Sequence, residues 1–491
     1  MRILSLLFLF LACAGGASAT TPDLVLRGNL TGADHQSYRR VPFVVPAGVQ
    51  RITVEFDYTG KEERSVIDLG LLGPDGASRG WSGGNKRIFT LSSVDATPSY
   101  TPTPIVAGKW ALLLGIPNMR EYAKAEYTAK VYFSRTLAIA DEPEILRQPL
   151  KATPAWYRGD LHMHTAHSDG SCPARDGGEP VPCPLFLTTQ AAAARGLDFI
   201  AISDHNGVAH AEAIRELQPY YNHMLLITGR ELTSFYGHAN FFGTLAPLDF
   251  SVGKGGGQRD WNAVLTAAAS LHGLVSINHP VRPSGELCMG CGWDTDTDMR
   301  RVQAIEAVNG ADADTHYSGV PFWQTQLNRG FRITGVGGSD NHRLNSEGVG
   351  SIGKPTTVVY APELSQLAIL AAIRAGHVFI DVTGSSDGLL ELTAQAGSEQ
   401  AMMGDALHAS TGTAVQFKLH VAHAAGATVS VLQDGKAVDL LKSANVETAD
   451  QQFEFGWNSD GKPHWIRVDV RNAAGRLMLI GNPIYLNVKT E

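Results

Sequence analysis

The sequence predicts an α/β chain in which a central segment of alternating strands and helices is flanked on each side by a β-sandwich. Three observations carry that expectation. In the middle of the chain, mainly apolar stretches at 197–201, 224–228, 274–278 and 331–336 alternate with helical patterns at 186–195, 261–271 and 364–375, as βα units do. Toward both ends the pattern changes to period-two stretches separated by Gly, Pro and Asn turns, at 50–56 and 127–133 and again at 414–421 and 465–470. Clusters of His, Asp and Glu recur where central apolar runs end, and the C-terminal strand ends are where a closed parallel barrel collects its reactive groups.

At 491 residues the chain exceeds a single core. Residues 1–19 read as a secretory leader: Arg2 precedes the apolar run 3–13, and Ala17-Ser18-Ala19 supplies a small-x-small site with cleavage expected after Ala19. The run is too short to span as a mature helix, and no later segment looks transmembrane. A secreted or periplasmic location follows. Cys13 raises a lipoprotein alternative, which Phe10 and Leu11 fit poorly. Residues 20–142 are expected to form the N-terminal β-sandwich, 143–155 a linker, 156–384 the α/β unit and 385–491 an immunoglobulin-like C-terminal β-sandwich. Trp81, Trp110, Trp457 and Trp465 are expected inside the sandwiches, with a carbohydrate-stacking surface as the lesser alternative.

The formal net charge is −8, one unit more negative without Arg2, so polyanions are repelled on average and no nucleic-acid partner is expected. Beyond the leader four cysteines remain: Cys172, Cys183, Cys288 and Cys291. An even count in an exported chain favours two disulfides, with three connectivities open. Cys288-x-x-Cys291 also reads as half a zinc knuckle or a redox motif, although it lies in a glycine-rich loop and does not open a helix. Both pairs fall just after ligand clusters, so bridges there would brace the rim of a site.

The clusters themselves carry the chemistry. On a strand alternate side chains share a face, so His162 and His164 can present two imidazoles to one cation while Leu161 and Met163 enter the core. Asp169 follows in the same motif loop. His205 ends Ser203-Asp204-His205, Glu231 follows Gly229-Arg230, His238 lies in Gly237-His238-Ala239, His279 in Asn278-His279-Pro280, and Asp340 and His342 in Asp340-Asn341-His342. Imidazole suits Zn, Fe or Mn, and the carboxylates add charge neutralisation, so the set points to two or three divalent cations at a hydrolytic centre. No thiolate is required. Asp160 and Asp204 are expected behind the ligands as acceptors for imidazole N–H groups. His167, His210, His223, His272, His316 and His377 lie off the motif positions and are assigned to packing or the surface.

In family order, Asp160-Leu161-His162-Met163-His164, Ser168-Asp169-Gly170, Ser203-Asp204-His205, Glu231, His238, Asn278-His279-Pro280 and Asp340-Asn341-His342 resemble the motifs of the PHP (polymerase and histidinol phosphatase) metallohydrolases. Within that family the chain is similar to the carbaryl hydrolase-like group. The resemblance covers about 156–381 and implies a distorted seven-stranded (β/α)7 barrel with up to three cations. It implies that His162, His164 and Asp340 hold one, that His238 and His279 hold a second with Glu231 bridging the two, and that Asp169, His205 and His342 hold a third. Some relatives carry histidine at the position of Asp169.

The expected reaction is hydrolysis by a metal-activated hydroxide, with Glu231 and Asp340 in the catalytic centre and a small-molecule substrate. A phosphoester is the leading substrate class, held in part by Arg282 and Arg343, which follow His279 and His342 closely. A carbamate, ester or amide is the alternative, and a catalytically silent, metal-stabilised binding protein is the alternative of another class. The glycine-rich loop 253–257 is either a connector or a moving lid.

Overall fold

The computed structural model describes residues 21–84, 86–286, 288–344 and 351–488, and the expected leader lies outside them. Strands dominate. The α-helices among the described residues are short, from 7 to 10 residues. None is long and apolar enough to cross a membrane.

The N-terminal part consists of two antiparallel four-stranded sheets. One runs Leu24–Thr31, Lys124–Ser134, Arg51–Tyr58, Ile88–Ser92; the other runs Ser37–Val45, Gly108–Asn118, Val66–Leu72, Ser78–Ser82. Period-two alternation gives each sheet one apolar face, so Ile52, Val54 and Phe56 meet Leu69, Leu71, Trp110 and Leu112 in one core.

The central sheet is built outward from Ala155–Asp160. On one side lie its parallel neighbours Phe199–Ile202 and Leu225–Ser234, then the antiparallel strands Gly237–Phe242 and Leu274–Ile277, then the parallel strands Ala304–Asn309 and Thr334–Gly338. On the other side Thr356–Ala361 and Val378–Asp381 pair antiparallel. The helices Leu185–Ala194, Trp261–Ser270 and Gln366–Ala375 fall where the sequence places them. The last two start at Asp260 and Ser365, whose side chains accept from Ala263 N–H and Ala368 N–H, and Gly376 at φ 81° ends the last.

These strands do not close into the (β/α)7 barrel expected from the sequence. The sheet stays open. Between Thr334–Gly338 and Thr356–Ala361 no backbone ladder forms; the Thr357 hydroxyl accepts from Gly337 N–H at 2.8 Å and donates to the Gly337 carbonyl at 2.7 Å. One side chain thus satisfies both groups that a ladder would use. The hairpin through 225–242 also inserts antiparallel pairing where a βα repeat requires parallel strands. Glycine lets the last strand approach the site: a Cβ on Gly338 would lie 2.5 Å from His162 Cβ.

Backbone pairing continues past the expected boundary at 384. Val378–Asp381 pairs with Leu477–Gly481, and the sheet runs on through His464–Arg471 to Thr428–Gln433. This layer packs on an antiparallel sheet of Glu399–Met402, Leu389–Ala396, Ala414–Ala422 and Asp450–Asn458, around Phe417, Phe455, Ile466 and Val468. The N-terminal sandwich is joined differently, through buried charge. Arg215 of the helix Ala211–Leu217 contacts Asp95 and Glu142, and Arg51 lies 2.8 Å from Asp95. Trp110, Trp457 and Trp465 are buried and only Trp81 is exposed, edge-on to Tyr38, so the four tryptophans form no common stacking surface.

Candidate metal centre

Ligand-type residues converge because central strands end at one place. His162 and His164 follow Ala155–Asp160, with Met163 between them buried in the core as alternation requires. His205 follows Phe199–Ile202, Glu231 lies in Leu225–Ser234, His238 in Gly237–Phe242, His279 follows Leu274–Ile277, and Asp340 and His342 follow Thr334–Gly338. His279 and Asp340 hold φ values of 25° and 53°, conformations that cost a non-glycine residue about 1–3 kcal/mol. Backbone bonds hold that strain in place. Asp340 N–H donates to the His162 carbonyl and His279 N–H to Glu306 Oε2, each at 2.9 Å.

Glu231 is the hub. Its Oε1 lies 3.4 Å from His162 Nε2, 3.4 Å from His238 Nδ1 and 3.3 Å from His279 Nε2; its Oε2 lies 3.6 Å from His164 Nε2 and 3.0 Å from His205 Nδ1. Asp340 Oδ1 lies 3.3 Å from both His162 Nε2 and His164 Nε2. Toward solvent, Asp169 Oδ1 lies 3.5 Å from His205 Nε2 and 3.5 Å from His342 Nε2. Five of the predicted ligands therefore surround Glu231 directly and Asp340, Asp169 and His342 join through them, with Asp169, His205 and His342 at the rim and the other six inside.

The spacing fits cations better than hydrogen bonds. Separations of 3.3–3.6 Å exceed the usual hydrogen-bond range of about 2.7–3.2 Å. Metal bonds of about 2.0–2.2 Å at tetrahedral angles put neighbouring donor atoms about 3.3–3.6 Å apart. Both His162 Nε2 and His164 Nε2 are buried without a hydrogen-bond partner, which is costly unless something else is bound there.

Charges in the centre point the same way. Burial disfavours charge on His162 and His205, but the neighbouring carboxylates outweigh it: Asp340, Glu306 and Glu231 raise His162 well above the ordinary value, and Asp169 and Glu231 push His205 up to about 10. Burial likewise works against charge on Glu231 and Asp340, yet the imidazoles hold both well below the usual carboxylate range. His164 goes the other way, pushed down by burial and by the neighbouring imidazoles of His342 and His162, so the carboxylates draw protons onto His162 and His205 but not onto His164.

Behind the donors stands a layer that sequence reasoning missed. Glu306 is buried in Ala304–Asn309; its Oε1 lies 3.0 Å from His162 Nδ1, and its Oε2 also accepts from Asn309 at 2.9 Å. That contact fixes the tautomer, leaving His162 Nε2 as the lone-pair nitrogen. Asn278 donates to Glu231 Oε1 at 2.9 Å, and Thr233 Oγ1 lies 2.7 Å from His205 Nδ1. An acid inside the apolar run Ala304-Ile305-Glu306-Ala307-Val308 was the available signal, since a buried carboxylate needs partners.

Asp160 and Asp204 do less to the imidazoles than expected. Asp160 accepts from the backbone N–H groups of His162, Ser339 and Gly353, tying ligand turns together. Asp204 accepts from Thr165 N–H and from the hydroxyls of Thr165 and Ser168; the imidazole nearest to it is that of buried His210, whose Nδ1 is 3.4 Å away. Arg282 lies beside the centre, its Nε and Nη2 on Asp312 at 3.1 and 3.0 Å and its Nη1 3.9 Å from Asp340 Oδ2. Arg343 is exposed, with its backbone bridged to Ser171. The Gly253 turn packs against Tyr236. Cys172 and Cys183 stand at disulfide distance, Cα–Cα 4.9 Å, as do Cys288 and Cys291 at 5.6 Å.

No protein-family model matches the chain, and no curated protein matches it. Among solved structures it is similar to a two-domain protein from Bacteroides vulgatus containing a predicted PHP-like metal-dependent phosphoesterase, at 17% identity and a TM-score of 0.37, over 67% of this chain and 96% of that one. It is also similar to a Glycosylation Associate Protein complex from Streptococcus agalactiae, at 8% identity and a TM-score of 0.15, over 41% of this chain and 70% of that one. Neither of these two carries the narrower carbaryl hydrolase-like name.

Proposed function

We propose that the protein is an exported metal-dependent hydrolase of the PHP type, acting on a small-molecule phosphoester. The observation that carries this reading is the placement of four imidazoles 3.3–3.6 Å from the Glu231 carboxylate, at spacings suited to shared cations, with His205 beside them at 3.0 Å. His162, His164 and Asp340 would hold one divalent ion, His238 and His279 a second, Glu231 would bridge them, and Asp169, His205 and His342 would hold a third. The donor set suits Zn, Mn or Fe. When bound, such cations acidify water and balance the negative charge that develops on a phosphoryl or carbonyl centre.

The chain's own residues do the positioning. Glu306 orients His162, Asn278 orients Glu231, and the strained turns at His279 and Asp340 aim their donors inward. Arg282 is pinned by Asp312 through one edge of its guanidinium, which leaves Nη1 on the side of Asp340 to meet an anionic oxygen. Export is supported by the leader pattern and by two cysteine pairs at disulfide distance.

A carbamate or ester substrate is the second reading. It is favoured by the exposed apolar side chains of Phe235 and Tyr236, close to His238 in sequence, and of Met289, whose backbone carbonyl meets His238, since these suit a neutral substrate with an apolar group. The deciding experiment sets p-nitrophenyl phosphate, bis-p-nitrophenyl phosphate and naphthyl carbamate side by side against protein reconstituted with Zn, Mn or Fe. Turnover of a phosphoester above the carbamate supports the proposal. The reverse order replaces it with the second reading, and turnover of none under any metal points to the binding-protein class.

A further inference from the structure

The loop from Pro280 to Trp293 begins directly after one metal-type ligand and ends beside another. Trp293 N–H donates to the Pro280 carbonyl at 2.9 Å, closing the loop next to His279, and the Trp293 ring packs where Gly237 has no side chain, next to His238. Within it, the Met289 carbonyl lies 3.1 Å from His238 Nε2 and accepts its proton, which turns His238 Nδ1 toward Glu231. Cys291 is fully buried, and its Sγ and one ring nitrogen each of His238 and His279 all lie within 4.8 Å of one another. The Met289 contact anchors the turn behind His238, and the Cys291 sulfur brings the Cys-x-x-Cys turn within ligand reach of His238 and His279.

We propose that Cys291 is an additional ligand for that cation and that its pairing with Cys288 gates the position by redox state. The inference rests on the reading that Glu231, His238 and His279 share an ion. In the disulfide both sulfurs are engaged with each other, and the chain offers three donors, Glu231, His238 and His279. A three-donor site keeps a coordination place for water or substrate, whereas a site with four protein donors is closed. Reduction by a dithiol donor breaks the Cys288–Cys291 bond, transfers two electrons and two protons to the two sulfurs, and leaves the donor as its own disulfide. Cys291 then gives up its proton to solvent as its sulfur takes the cation, and the fourth place is filled. Reduction thus tightens metal binding as it lowers turnover, whereas loss of a merely bracing disulfide would lower turnover without tightening metal binding.

Cobalt(II) titration of the full metal-free chain, under anaerobic conditions and followed by absorption, tests the gate without any substrate. Visible d–d bands are expected in both redox states, and a near-ultraviolet sulfur-to-cobalt charge-transfer band only after reduction. The reduced protein should bind its second equivalent about ten-fold more tightly or better, the smallest effect that disturbing a metal site's supporting shell has. Cys288→Ser, which keeps the Cys172–Cys183 bridge intact, should show the charge-transfer band with no reductant, and Cys291→Ser should never show it. Should d–d bands develop in reduced wild type and in Cys288→Ser without the sulfur band, the gate is wrong while the metal centre stands. A sulfur band that persists in Cys291→Ser also overturns it. If no cobalt binds in either state, the metal reading itself fails and takes the gate with it.

Discussion

Glu306 Oε1 lies 3.0 Å from His162 Nδ1, and this contact decides which nitrogen of His162 faces the centre. Replacing the carboxylate by an amide of the same shape keeps the packing and weakens the acceptor. Glu306→Gln is expected to lower metal affinity by about 10–100-fold while leaving thermal unfolding of the metal-free protein unchanged. Competitive titration against a chelator of known affinity measures it; wild-type affinity would show that Glu306 does not set the tautomer.

Glu231 faces five imidazoles, so its loss removes the charge that holds the cluster together. Protein reconstituted and freed of excess metal is expected to hold at least two equivalents by elemental analysis, and Glu231→Gln at least one fewer, with no hydrolysis. Less than one equivalent in wild type would remove the binuclear reading.

The Arg51–Asp95–Glu142–Arg215 cluster joins the N-terminal sandwich to the central sheet. Burial pushes the Asp95 carboxyl up, but Arg215 and Arg51 outweigh it and hold it below the usual range. A depressed folded-state pKa means stability that is present above the unfolded value of about 3.9 and is lost as pH falls below it. Asp95→Ala leaves Arg51 and Arg215 with Glu142 as the remaining shared carboxylate for two cations and should cost about 3–5 kcal/mol at neutral pH. Denaturant unfolding from pH 7 to pH 3 reads both effects: the wild-type curve should fall steeply below about pH 4, and the variant's less so.

For the cysteines, denatured and unreduced protein beginning at Thr20 is expected to show no free thiol, and four after reduction. Four before reduction would remove both bridges and leave Cys291 permanently open to a cation.

Arg282 and Arg343, alike in sequence context, differ in place. Arg282→Ala should cost about 1.5–3 kcal/mol in kcat/KM for a phosphoester, as loss of a charge-assisted bond does, and little for a neutral carbamate. Exposed Arg343→Ala should change either less. Equal and large losses for both arginines on both substrates would mean that the changes damage the loops and not anion binding.

The ligand types and the strand ends that carry them were legible in the sequence because both are local. A period-two run fixes which side chains share a face, so His162 and His164 could be paired from spacing alone, and the helices near 261–271 and 364–375 were legible from their apolar pattern. Sheet closure was not legible, because it depends on whether Thr357 or a backbone ladder satisfies Gly337, a contact between segments 20 residues apart. Nor was the layer behind the ligands: Glu306 meets His162 across 144 positions of sequence, and the Met289 carbonyl meets His238 across 51. The sequence by itself determined which ligand-type residues the chain carries and that most of them follow apolar runs, whereas Glu231 and His238 lie within the hairpin strands Leu225–Ser234 and Gly237–Phe242. Only the tertiary structure decided that five imidazoles share the Glu231 carboxylate, which nitrogen each imidazole presents, and that a Cys-x-x-Cys turn stands over one pair, since hydrogen-bond partners and donor spacing are set by packing between strands that are distant in the chain.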